Sequence, residues 1–292
     1  MKFKSRCILA SLMGFAFAGQ ASALAVYGVT SANSLVRFDS ATPGTIDTTV
    51  AVTGLNAGAS LLGIDFRPVD GRLYGVSSDS RLYTINLTTG AATSIGAAGA
   101  FALSGSSFGF DFNPVPDRIR VTSDADQNLR LNPNNGTLAG TDTPLAYAAG
   151  DANAGLNPNI VGSGYTNSFN GTLSTTLYGI DSGLDILVTQ IPPNTGTLNM
   201  VGALGFNTTD LVGFDIFFLG NLAFASLTAV GGSSSFFSIN LGTGAATAIG
   251  SIGNNLLISD IAIQQVPEPG TLSLLAGALL GSFFVRRRQQ RK

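Results

Sequence analysis

The sequence predicts an all-β fold: a five-bladed β-propeller of four-stranded blades, closed by N-terminal and C-terminal strands, with an N-terminal signal peptide and one C-terminal hydrophobic helix. Three observations predict it. A pattern recurs about every 46 residues, a spacing typical of propellers and other arrays. The recurring unit breaks into four short runs of Val, Ile, Leu, Phe and Tyr separated by turn residues, with no sustained helical period. The phase of the copies leaves one blade divided between the two ends of the domain. A β-solenoid would also repeat, but it would not need strands of such mixed length.

The chain begins with a secretory signal pattern. Lys2, Lys4 and Arg6 form a positive n-region, Ile8 to Ala18 an apolar h-region, and Ala21-Ser22-Ala23 an A-x-A cleavage site. This divides the chain into a signal peptide (1–23), a propeller domain (24–265) and a tail (266–292). The domain is long enough for one large all-β core.

The clearest unit is LLGIDFRP from Leu61, then GRLYGVSS, RLYTINLTTG and AATSIG. LYGV returns as VYGV at Val26, LYGI at Leu177 and AFAS at Ala223, and GIDF returns as GFDF at Gly109 and GFDI at Gly213, with looser copies from Ile160 and Leu256. Pro-Val-Asp-Gly at Pro68 and Thr-Gly at Thr89, Thr195 and Thr243 supply tight reversals. Complete blades therefore start at Leu61, Ser107, Ile160 and Leu211. The fifth opens with Leu256 to Ile263, and its remaining strands are Ala25 to Val29, Ser34 to Phe38 and Thr45 to Val52, so the ring closes by a one-plus-three join that removes open sheet edges. Thr141 to Asn159 and Asn167 to Thr176 lengthen the third repeat, and the Gly, Ala and Asn-rich run from Ala149 reads as a surface loop.

Charge and composition exclude several chemistries. Residues 24–265 hold seven Arg, no Lys, sixteen Asp and no Glu, for a formal net charge of −9 against −2 for the whole chain. Neither nucleic acid nor an anionic membrane surface is a fitting partner for such a domain. There is no His, and Cys7 lies in the signal peptide. A zinc site, a Ser-His-Asp triad, a thiol nucleophile and a disulfide framework are therefore absent from the domain.

The tail reads VPEPG, then an uncharged run from Thr271 to Val285, then Arg286, Arg287, Arg288, Arg291 and Lys292. As a helix that run would reach about 22 Å, short of a ~30 Å hydrocarbon core. Flanking cations can snorkel, and the positive-inside rule keeps them cytoplasmic, leaving the domain outside an inner membrane. Pro267, Glu268 and Pro269 with the apolar run and Arg286 to Arg288 resemble the PEP-CTERM sorting signal. The resemblance implies processing by an exosortase-like enzyme and delivery to the cell surface or an exopolysaccharide matrix. The run from Gly109 to Gly140, with Asn113-Pro114, Asp117 to Val121 and Gln127 to Arg130, resembles domain-of-unknown-function family 4394, a secreted bacterial family. That resemblance implies propeller-like repeats and brings no activity.

Candidate ligand-binding residues cluster in the same run: Arg118, Arg120, Asp124, Asp126, Asn128 and Arg130. Alternation places the three guanidinium groups on one face of two adjacent strands. They could bind a carboxylate or sulfated sugar through bidentate donors, or pair with neighbouring Asp and fix one blade to the next. Asp124-x-Asp126-x-Asn128 lacks the Gly and Glu of an EF-hand, which leaves only a looser Ca²⁺ site open; no other cofactor is expected. Asp65, Asp111, Asp215 and Asp260 recur in one strand position, with Gly164 in the irregular repeat. They could face one another as a cation site or an acid and base pair, but a residue used once per blade more simply accepts structural hydrogen bonds. Most of the six Tyr fall within the repeat and read as core rather than sugar platforms. No catalytic or metal residue is assigned. The function expected is a non-enzymatic binding or structural propeller; the alternative is a surface glycan hydrolase or lyase using Asp carboxylates.

Overall fold

A computed structural model describes residues 23–253 and 255–265. Five sheets, antiparallel but for one short edge strand, are arranged as blades around a central channel. Blade 1 contains β1 (Ala25–Thr30), β2 (Ser34–Asp39) and β3 (Ile46–Ala51). Blade 2 contains β4 (Leu61–Phe66), β5 (Leu73–Ser77), β6 (Arg81–Ile85) and β7 (Ala92–Ile95), and blade 3 contains β8 (Phe108–Asn113), β9 (Arg118–Ser123), β10 (Asn128–Leu131) and β11 (Leu138–Thr141). Blade 4 holds β12 (Ala146–Tyr147), β13 (Ile160–Tyr165), β14 (Leu177–Asp181), β15 (Ile186–Gln190) and β16 (Thr197–Ala203). Blade 5 holds β17 (Gly213–Phe217), β18 (Leu222–Thr228), β19 (Ser234–Ile239) and β20 (Ala246–Ser251). The last strand, β21 (Ile258–Ile263), pairs with β1 in the order β21-β1-β2-β3, which is the one-plus-three closure expected.

The innermost strands β4, β8, β13, β17 and β21 pack against one another around the channel and are almost wholly buried. The outermost strands β3 and β20 are largely exposed and rich in Thr and Ala. Hydrophobic side chains therefore pack between blades rather than in one central mass. Tyr27 and Phe66 meet edge to face between blades 1 and 2, Tyr74 and Phe112 between blades 2 and 3, and Phe38 and Phe236 between blades 1 and 5, with ring centroids 5.2 to 5.5 Å apart. Blades 4 and 5 join through Val161, Ile180, Leu187, Phe214, Ile216 and Leu227. Each fully buried side chain of this size contributes about 1.5–3 kcal/mol.

The glycine of the GIDF pattern has a packing cause. A Cβ on Gly63 would lie 2.4 Å from Phe110 Cβ, and one on Gly213 would lie 2.5 Å from the Ile261 nitrogen. Only glycine lets inner strands approach this closely.

Blade 4 differs from the expectation in one respect. It has five strands in place of four, because Ala146–Tyr147 adds one parallel to β16, with Leu145 and Tyr147 buried against blade 4. The run from Ala149 is mostly exposed, as its composition indicates. Among the described residues, no helix is long and apolar enough to cross a membrane. The expected signal cleavage at Ala21 and Ala23, the C-terminal helix, and Pro267, Glu268, Pro269 and Arg286 to Arg288 lie outside the described residues.

Candidate functional site

The recurring aspartates project from the innermost strands. Cross-strand register fixes their levels: Asp65 lies opposite Tyr74, Asp111 opposite Arg120, Gly164 opposite Tyr178, Asp215 opposite Phe224, and Ala262 opposite Tyr27. Asp260 is not the fourth member of this ring, which corrects the sequence alignment. It pairs with Val29, two residues earlier, at the level of Gly63. The cause is a bulge: register skips Ser259 in β21 as it skips Leu62 in β4 and Val161 in β13, so LLISD and LLGID look alike but align on their bulges instead.

Asp65, Asp111 and Asp215 each bring one carboxylate oxygen within 4.8 Å of the others, all buried. Backbone N–H groups hold them. Asp65 accepts from Phe66 (2.6 Å) and from Phe112 of the next blade (2.8 Å). Asp215 accepts from Ile216 and, across the closing seam, from Ile263, both at 2.5 Å. Asp111 accepts from Tyr165 of blade 4 (3.1 Å), and Asp260 from Ile261 (2.9 Å) and from Ile64 of blade 2 (2.7 Å). Each carboxyl thus clasps its own blade to the following one. The seam between blades 4 and 5, where Gly164 replaces the carboxyl, is closed by apolar packing: a Cβ there would meet Ile216 and Phe214, each at 3.0 Å.

Burial pushes all four carboxyls above the ordinary Asp range. Repulsion from Asp215 adds to this at Asp65, and repulsion from Asp65 and Asp215 adds to it at Asp111. Three oxygen donors so placed suit a hard cation such as Ca²⁺ or shared protons. The channel mouth above them is a cavity of about 70 Å³ lined by Leu62, Phe108, Val161, Val212 and Ser259. These mouth residues lie three positions up the strands, about 10 Å from the carboxyl level.

These groups give a pH dependence. Burial raises Asp215 from 3.8 to about 6, against the pull of its two backbone donors. A carboxyl whose folded value exceeds its unfolded value binds its proton more tightly when folded. Its contribution is complete below the unfolded value and is lost as pH rises through about 6. The shift corresponds to about 3 kcal/mol. Melting temperature is expected to fall between pH 5 and pH 7.5, with a smaller fall in Asp215→Asn. Asp70 and Asp142 sit below the ordinary range and lose their contribution only at more acidic pH. A wild-type curve flat across this window would contradict the reading.

The sequence-predicted arginines occupy a second network. Arg120 and Arg130 stand directly opposite each other on β9 and β10. Arg120 is 1% exposed, and its guanidinium donates to Asn128 Oδ1 and Asp142 Oδ2 at 2.6 Å, to Asn194 Oδ1 at 2.7 Å, and through Nε to the Tyr165 hydroxyl at 3.4 Å. Arg130 holds both oxygens of Asp142 at 2.8 Å. Burial pushes the Asp142 carboxyl up, but hydrogen bonds from Arg130 and Arg120 outweigh it and hold the group below the usual range. Tyr165 and Asn194 belong to blade 4, so Arg120 ties blade 3 to blade 4. Arg67 does the same between blades 2 and 3. It donates to both oxygens of Asp117, to Asn134 Oδ1 at 2.8 Å and to the Tyr74 hydroxyl at 3.1 Å, and the Asp117 bonds raise its guanidinium further above its ordinary value.

Of the other predicted residues, Asn128 joins this network, whereas Arg118, Asp124 and Asp126 do not. Arg118 donates to the carbonyls of Pro116 and Asp117, and Asp124 accepts from the Ser106 N–H. Asp126 has one buried oxygen without a partner, and burial raises its carboxyl. Asn128 turns its oxygen to Arg120 and its amide to the carbonyls of Thr143 and Pro193, away from Asp124. Asp142, Asn194 and the Tyr147–Asp181 hydrogen bond were not anticipated. Of these only Asp142, the acid closing a run with two unpaired Arg, left a sequence signal.

The model of the family described as "Domain of unknown function (DUF4394)" matches residues 34–262, and that of the PEP-CTERM protein-sorting motif matches residues 265–288. No curated protein matches the chain. Among solved structures it is similar to a chain of the crystal structure of a nidogen/laminin complex, at 14% identity over 83% of this chain and 98% of that one, with a TM-score of 0.45. It is also similar to dihydro-heme d1 dehydrogenase NirN in complex with DHE, at 12% identity over 77% of this chain and 43% of that one, with a TM-score of 0.38.

Proposed function

We propose, from the premise that this chain belongs to the DUF4394 family and carries a PEP-CTERM sorting motif, that it is a non-enzymatic propeller of the cell surface or exopolysaccharide matrix. The motif implies export and recognition by an exosortase-like enzyme. In the proposed route the tail anchors the chain in the inner membrane until processing releases it to the surface. One observation carries the non-enzymatic reading: the repeated carboxyls and the buried arginines are spent on joining blades. Asp65, Asp111, Asp215 and Asp260 each accept an N–H of the following blade, and Arg67 and Arg120 bridge the same seams. A reaction centre would keep such groups free to meet a substrate.

The test is incubation of the processed protein with the exopolysaccharide of its own host. Co-sedimentation with the polymer, without new reducing ends or a fall in polymer mass, is expected. Polymer shortening that disappears in Asp124→Asn or Asp151→Asn would overturn the reading in favour of a hydrolase or lyase.

A further inference from the structure

Both faces of the ring expose apolar side chains, Leu156, Leu184, Val230 and Leu257 on one and a larger set on the other, and the larger set lies on the face where the domain's two ends emerge. That face carries the turns that join each innermost strand to the second strand of its blade. Those turns contact one another: Arg67 reaches Asp117, Asn167 bonds Asn221, and the rings of Phe169 and Phe218 meet edge to face at 6.1 Å. All four present exposed apolar side chains: Val69 in blade 2, Val115 in blade 3, Phe169 and Leu173 in blade 4, and Leu219 in blade 5. Leu173 is 93% exposed and Leu219 65%. Leu173 and Leu219 bury little of their apolar surface in the fold, and a shared apolar face marks a contact surface.

Blade 1 has no such turn, because the two ends of the described domain take its place on the same face. Leu24 leads into β1 there, and Gln264 and Gln265 follow β21. Gln265 is pinned to the neighbouring turn. Its side-chain oxygen accepts the Phe218 N–H at 3.0 Å, and its amide donates to the Ile216 carbonyl at 3.3 Å. Five residues, 266–270, separate this point from the uncharged run that starts at Thr271. Fully extended they reach at most about 18 Å. A helix over Thr271 to Val285 would be shorter than the hydrocarbon core, so any slack in the spacer is drawn toward the membrane.

Charge runs the same way. The apolar face is balanced, with Arg67, Arg72 and Arg118 against Asp39, Asp70 and Asp117. The turns on the opposite face have Asp79, Asp124, Asp126 and Asp185, with Arg81 the one cation flanking them. For a domain of net charge −9, an anionic headgroup layer repels the second face more than the balanced first one.

The geometry points to a membrane-docking face: while its tail is inserted, the propeller lies on the lipid surface through Val69, Val115, Phe169, Leu173 and Leu219, with its acidic face outward. This deepens the anchored stage of the function proposed above and rests on it. The docked orientation presents the tail's spacer at the headgroup layer, where a membrane-embedded processing enzyme works, and release frees the apolar face.

The test uses the full chain without its signal peptide, reconstituted in phosphatidylethanolamine and phosphatidylglycerol vesicles that include a lipid-borne quencher. The domain has no cysteine, so a single fluorophore can be placed at Leu173→Cys, Val115→Cys or Val230→Cys. Val230, 82% exposed on the opposite face, is the control. Strong quenching at Leu173 and Val115, none at Val230, and loss of quenching at Val115 in the exposed double variant Leu173→Asp, Leu219→Asp are expected. Vesicle flotation reports on anchoring separately. A chain that floats but shows equal quenching at all three positions refutes the docking face and leaves anchoring standing. A chain that does not float refutes both.

Discussion

Arg120→Ala is expected to cost about 3–5 kcal/mol, the range found when one partner of a buried ion pair is removed. The magnitude follows from what is left behind. Asp142 keeps Arg130, but Asn128 and Asn194 each lose a donor at 2.6 to 2.7 Å, and a side chain among the largest fully buried ones is truncated, leaving a cavity at the blade 3 to blade 4 seam. Arg120→Lys keeps the charge but offers one donor centre in place of a planar fork, so it falls between the two. Arg118→Ala is the control. That side chain bonds only backbone carbonyls at the surface, and its loss is expected to stay within about 0.5 kcal/mol. Urea unfolding of the three variants measures the series. Equal small effects at Arg120 and Arg118 would mean that the buried network contributes nothing to joining the blades.

The second large effect is expected at a clasp. In Asp65→Ala the N–H groups of Phe66 and Phe112 both lose their acceptor inside the core. A buried donor left unsatisfied costs about 1–3 kcal/mol, so the pair is expected to cost about 2–4 kcal/mol, allowing for some relaxation. One effect opposes this. Burial makes ionised Asp65 unfavourable, and Asp215 repels it, so removing the carboxyl also removes that penalty at neutral pH. Comparing acidic with neutral pH separates the two, because a carboxyl held above the ordinary range takes up its proton sooner on acidification and, once protonated, still accepts hydrogen bonds. The loss is therefore expected to be larger at pH 5 than at pH 7.5. A stabilised variant at pH 5 would indicate a group kept for function at the expense of the fold.

The ring was legible because the chemistry that builds it repeats. A glycine where inner strands touch, an aspartate two residues on, and a Thr-Gly turn recur because each blade solves the same packing problem. Period and phase therefore gave the blade count and the split blade. The level of Asp260 was not legible, because a β-bulge adds a residue without leaving a mark on composition: Ser259 looks like an ordinary strand residue. The partners of Arg120 were hidden for a different reason. Asp142 and Asn194 lie 22 and 74 residues from it, in segments where the repeat is irregular, and the folded seam brings them together. The fifth strand of blade 4 was hidden because a two-residue strand has no periodicity to detect. The apolar crown was written in the sequence as Val69, Val115, Phe169, Leu173 and Leu219. It could not be separated from core until the fold showed that these positions share one exposed face.

The central claim is that the inner-strand carboxyls exist to join consecutive blades. Amide hydrogen exchange at Phe112 in wild type and in Asp65→Ala, at pH 5, tests it most directly, with Ile64 as the internal reference because Asp260 still holds its N–H in the variant. The account predicts that Phe112 loses protection well beyond any change at Ile64, since the clasp at one seam is cut while the other remains. Protection at Phe112 that stays at the wild-type level, or that falls only in step with Ile64, would contradict it.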